Sequence, residues 1–182
     1  MGAAQASALY FWLAMRQNVA PSSIKFVVSP VPMFPIGAGS AVRSDAWARF
    51  PESRDEFLDF VVTMGIDNVV ILSGDAHCFL DATITITKKG HKSVTIRNIT
   101  TAGLYAPYPF ANSQPEDFLV TANDAILVGP NTGTAWSYTE AKSASSIGGW
   151  TLIGVNQKGA LTVEFRDTVQ MPAVSQFVAR ER

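Results

Sequence analysis

NVVILSGDAH, residues 68–77, is the stretch whose reading decides the fold. Val69, Val70, Ile71 and Leu72 run without a polar break, then stop at Ser73-Gly74, which delivers Asp75 and His77 two positions apart. An unbroken apolar run of this length reads as a buried strand. A glycine turn at its end holds polar side chains at the rim of a sheet, where open α/β folds bind ligands and metals.

Upstream, Pro51 suits the first turn of a helix and Glu52 lies near its positive N-terminal end. Phe57, Phe60, Val61 and Met64 trace one face until Gly65 closes it. Before that helix, "IKFVVSPVP" (24–32) predicts a buried strand ended by Pro30 and Pro32. A Gly/Pro/Ser-rich loop follows through "FPIGAGSAVRSDAW" (34–47). Strand, helix, strand in this order implies a parallel pair joined by a right-handed crossover, so the loops after both strands lie at one edge. Asp45 would then approach Asp75 and His77. Residues 3–17, with Leu9, Tyr10 and Leu13 at helical spacing, predict a leading helix.

Downstream, "DATITITKKGHKSVTIRNITT" (81–101) alternates Ile84, Ile86, Val94 and Ile96 with polar residues around "KKGHK", which predicts a hairpin with one buried face. Residues 101–149 read as long loops with a short strand near 126–128. "WTLIGVNQKGALTVEFRD" (150–167) is a second alternating hairpin, turning at Gln157-Lys158-Gly159, and residues 168–182 form a tail. The fold class expected is α/β, one domain over residues 1–182.

With 182 residues, 47% of them hydrophobic and 16% charged, the chain can build a real core. A net charge of −1 gives nucleic acid no global attraction. The apolar run from Ala8 to Met15 has no basic residue before it and is too short to cross a bilayer. One cysteine, Cys78, leaves the compartment undecided.

Asp75 and His77 pair a hard, charge-neutralising oxygen donor with an imidazole nitrogen, and Ala76 between them permits close approach. The same pattern also describes a turn carboxylate beside a hydrogen-bonded histidine. Asp45 reads equally as a helix cap ahead of Ala46-Trp47-Ala48. Trp47 and Phe50 read as packing residues, and Arg43 and Arg54 as solvated or ion-paired surface groups. His91 sits among lysines on a hairpin turn, away from the strand ends. Cys78 points into packing, since a nucleophilic role would need His77 as its base. Ser73 lies outside the GxSxG elbow, and "GAGSAV" (37–42) lacks the Lys-Ser/Thr of a phosphate loop.

Several stretches together resemble one family. "GIDNVVILSGDAH", "SDAWARFPESRDEFLDF" upstream of it, and "GAAQASALYFWL" followed by "IKFVVSPVPMF" resemble, in order and spacing, the C-terminal half of PhoD-like alkaline phosphatases. "GLYAPYPFAN" (103–112) looks like the segment after that family's final metal motif. The resemblance implies a partial metallophosphoesterase αββα sandwich. It also implies hydrolysis of phosphate mono- and diesters, with iron and calcium as the metals and an exported location. His77 would bind the iron-like ion, Asp75 the calcium-like ion, and Asp45 would be a further calcium-side ligand.

Three donors fall short of the six or so that a two-metal centre needs. The family's first aspartates and bridging carboxylate have no counterpart in this sequence. The expectation is a C-terminal piece of a phosphatase whose remaining ligands lie on a complementing N-terminal half, with self-association through uncovered strand edges. The alternative is a degenerate, non-catalytic module that keeps the scaffold and binds a cation weakly.

Overall fold

The computed structural model describes residues 2–33, 47–76, 78–103, 127–128, 133–145, 149–167 and 176–177. Two helices, α1 (Ala3–Val19) and α2 (Pro51–Thr63), accompany nine strands. These are β1 (Lys25–Ser29), β2 (Val69–Ser73), β3 (Cys78–Lys88), β4 (Val94–Thr100), β5 (Leu127–Val128), β6 (Thr134–Ser145), β7 (Gly149–Val155), β8 (Leu161–Asp167) and β9 (Gln176–Phe177). A 3-10 turn, Trp47–Arg49, precedes α2.

Six strands form one sheet in the order β1-β2-β4-β3-β6-β5, and β7-β8-β9 form another. The parallel β1–β2 pair that the strand, helix, strand order predicts is present, with Ser29 opposite Ser73. The hairpin of β3 and β4 enters with β4 parallel to β2, so Ser73 also lies opposite Thr100. Three strand ends therefore share one rim.

Alternation of side chains across the pleat sends successive residues of β2 to opposite cores. Val69 and Ile71 join Leu13, Phe57, Leu58, Val61, Ile84, Ile96 and Trp136 under the helices. Val70 joins Phe79, Ile99, Leu161, Val163 and Phe165 beneath the second sheet. The layers run helix, sheet, sheet: a mixed α/β sandwich of the partial kind expected.

Several details depart from the sequence reading. The buried stripe of α2 is Arg54, Phe57, Leu58, Val61 and Val62, and Met64, at the C-cap, is exposed. Gly65 closes the helix at φ +58°, as expected. Arg54 is not a surface group. It is buried, 3.0 Å from Asp55, with its guanidinium over the Trp136 ring. Phe50 is exposed rather than packed, whereas Trp47 leans on Phe57. Within residues 101–149, read as loops, lies the twelve-residue strand β6, which pairs with the whole length of β3. A bulge at Thr83/Ile84 interrupts that pairing, and Thr139 Oγ1 donates to the Thr83 carbonyl there.

β1 is an edge strand among those described, with Val28 79% exposed, so its expected burial holds on one face only. Lys25, at its start, is 1% exposed. Its ammonium donates to the carbonyls of Pro21, Ser23 and Asp67, tying α1's exit loop to the start of β2. Burial pushes its pKa below the ordinary lysine value despite the pull of Asp67.

Candidate metal centre at the strand rim

The chemistry of the rim starts where the apolar pattern of the strands breaks. On the helix-facing side Val27, Ile71 and Ile96 give way, two or four residues later, to Ser29, Ser73, Asn98 and Thr100, all buried. Burying four such groups would be costly unless they bond to one another. Ser73 and Thr100 share a hydroxyl hydrogen bond of 2.7 Å, and Asn98 Nδ2 donates to Ser73 Oγ at 2.9 Å. The Asn98 carbonyl oxygen accepts from the Met33 amide, fixing the chain that leaves β1. Trp47 Nε1 donates to Ser29 Oγ, fixing the chain that returns toward α2. The Thr101 amide donates to the Ser73 carbonyl.

On this support sits Gly74-Asp75. Asp75 is exposed and takes a left-handed backbone, φ +67°. Carboxylate residues tolerate that conformation better than most, yet it is an uncommon one, and such outliers concentrate at sites of function. The β2 strand thus carries one oxygen donor to the rim on a sharply turned backbone. His77 and Asp45 lie outside the described residues, as do Arg43 and the "GAGSAV" stretch. Among the described residues no three of His, Cys, Asp and Glu gather as a cation cage. The Asp75 carboxylate is a hard oxygen donor on an exposed residue, of the chemistry that calcium-type ions take.

Other candidates resolve clearly. Cys78 is buried in a cluster with Ala76 and Leu80, and burial pushes its thiol pKa up to about 12, so it is no nucleophile at neutral pH. Ser73 spends its hydroxyl inside the rim network. His91 is exposed on the β3–β4 turn, where its charge acts on Asp59. The sequence pattern alone does not single out the network residues Asn98 and Thr100. Their signal was a polar pair placed where the alternation of Val94 and Ile96 called for apolar residues.

Two cavities flank the rim. One of about 620 Å³ lies between α1, β1 and α2, beside Trp12, Trp47 and Phe57, and among the described residues its lining carries no carboxylate, imidazole, amine or thiol. The other, of about 270 Å³, opens beside Ser73 and Thr101 between the two sheets.

A family model for PhoD-like phosphatase matches residues 1–158. No curated protein matches the chain. Among solved structures, one described as "Structure of PhoD" aligns over 93% of this chain at 14% identity and a TM-score of 0.41. The chain spans 35% of that protein's length.

Proposed function

The chain belongs to the PhoD-like phosphatase family, and from that premise we propose that its strand rim supplies part of the metal centre of a phosphoesterase. Asp75 and His77, with Asp45, are the ligands this reading assigns, Asp75 and Asp45 to a calcium-like ion and His77 to an iron-like one. The observation that carries it is the exposed Asp75 on its left-handed turn, two residues beyond Ser73 of the buried Ser73–Thr100–Asn98 network.

Bound metals would polarise the phosphoryl oxygen and supply a hydroxide for in-line attack on a phosphate ester. The chain's own residues have the task of holding the donors in place. Asn98 and Thr100 hold the Ser73 side chain at the end of β2, directly before the turn at Gly74. Cys78 takes no part. The place of β1 at the end of the sheet among the described residues supports the further reading that another polypeptide, a complementing half or a second copy, pairs there. A monodisperse monomer in light scattering would count against that pairing.

The test of function is metal content and turnover together. Purified without chelator, the chain should hold calcium and iron by elemental analysis and hydrolyse bis(4-nitrophenyl) phosphate, alone or with its partner polypeptide. Asp75→Asn and His77→Ala should each lose metal and turnover. Unchanged metal content in the double variant, with no hydrolysis in any sample, would leave the non-catalytic module as the correct reading.

A further inference from the structure

The smaller cavity lies on the opposite side of the six-stranded sheet from the helices. Leu72, Ile99 and Ala102 form its floor on one sheet, and Thr151 and Ile153 its wall on the other. Ser73 and Thr101 also line it, so it shares with Asp75 the end of β2. Its position is fixed by backbone. The Gly149 amide donates to the Gly103 carbonyl at 3.2 Å, fastening β7 to the segment that leaves β4. Any side chain at Gly149 would collide with the Phe79 ring and the Arg166 carbonyl, so the close approach of the two sheets depends on this glycine.

One residue in this lining is out of keeping with an apolar slot. Thr151 Oγ1 is buried and meets no hydrogen-bond partner among the described residues. Leaving a hydroxyl so costs stability, and valine, its near isostere, would fill the space at no such cost. A volume of about 270 Å³ falls just below the range that encloses a whole drug-sized ligand, which leaves room for a single ring.

We propose that this slot between the sheets is the subsite for the organic group of the phosphate ester, an uncharged ring-sized alcohol with one polar atom for the Thr151 hydroxyl. The proposal rests on the phosphoesterase reading, which puts the phosphoryl group at the rim beside Asp75. Leu72 and Ile153 would shed water against the ring, and Thr151 would fix its orientation. Selectivity for aryl over small alkyl esters follows.

The experiment uses the full chain with the metals it retains on purification, titrated by calorimetry with methylphosphonate and 3-hydroxyphenylphosphonate. The ring-bearing probe should bind at least about fivefold more tightly. Thr151→Val should weaken that probe by about fivefold, the value of one modest hydrogen bond, and leave methylphosphonate unchanged. Ile153→Phe, which fills the slot, should abolish the preference. A thermal melt of each variant checks folding, and Thr151→Val should melt no lower than the parent. Equal binding of the two probes by the parent chain, or a preference untouched by both variants, overturns the subsite and leaves the phosphoesterase reading standing. Failure of the parent to bind either probe overturns the subsite, whereas the phosphoesterase reading stands or falls on metal content and turnover with the partner polypeptide.

Discussion

The hydroxyls of Ser73 and Thr100 meet at 2.7 Å across the paired ends of two parallel strands, both closed to solvent. They do not meet in isolation, because the Asn98 amide donates to Ser73 and its carbonyl oxygen holds the Met33 amide. Asn98→Ala would strip partners from groups that water cannot reach, at a cost of about 1–3 kcal/mol for each group left unsatisfied. The midpoint of urea unfolding should fall accordingly with an unchanged slope. Ser73→Ala removes the two bonds to Thr100 and Asn98 but leaves the Met33 amide held by Asn98, and should cost less. A midpoint unmoved in Asn98→Ala would mean that the rim is held by its apolar neighbours alone.

How far the rim could be read from the sequence depended on how local its causes are. The β1–α2–β2 unit, the turn at Gly74 and the placement of Asp75 follow from short-range pattern, and the structure contains them. The strand β6 was hidden because its pairing is set by β3, some fifty residues earlier, and strand preference is largely a matter of what lies alongside. Arg54 misled for a similar reason. Its charge looks like a solvent group until Trp136, distant in sequence, is seen beneath it. Asn98 and Thr100 look like exposed strand residues one at a time, and only their register with Ser73 makes them a network.

The tether between α2 and the sheet gives stability a pH dependence. Burial pushes the Asp59 carboxyl up, but hydrogen bonds from Lys88 and Thr134, with the charges of Lys88 and His91, outweigh it and hold its pKa below the ordinary 3.8. A carboxyl depressed in the folded state adds stability above its unfolded value, and that stability is lost as pH falls through the folded value. Asp59→Asn should therefore be less stable than the parent at pH 7, and the gap should close as the pH falls below about 4. Chemical unfolding at several pH values measures it. A gap that is constant with pH would show that the asparagine disturbs packing, not charge.

Cys78 offers a check on the rejected thiol chemistry. With its pKa pushed up to about 12 by burial, roughly one thiol in ten thousand would be ionised at pH 8 even with free access. A thiol reagent such as Ellman's should leave the native chain unlabelled for minutes and label it fully in concentrated urea. Cys78→Ala should keep whatever metal the parent binds. Rapid native labelling would reopen the thiol as a reactive group.

Asp75 separates a functional turn from a merely structural one. At φ +67° glycine is relaxed, whereas alanine is strained by about 1 kcal/mol or slightly more. Asp75→Gly should therefore be more stable than Asp75→Ala by about that amount. Both remove the same carboxylate, so both should lose metal to the same extent, whatever their stability. Asp75→Asn keeps a side chain suited to the left-handed region but removes the charge; it should fold like the parent and still lose metal. Stability and metal content thus move independently across the three variants if the carboxylate is a ligand. Were metal content to follow stability instead, with the glycine variant retaining the ion, the turn would serve only to hold the backbone.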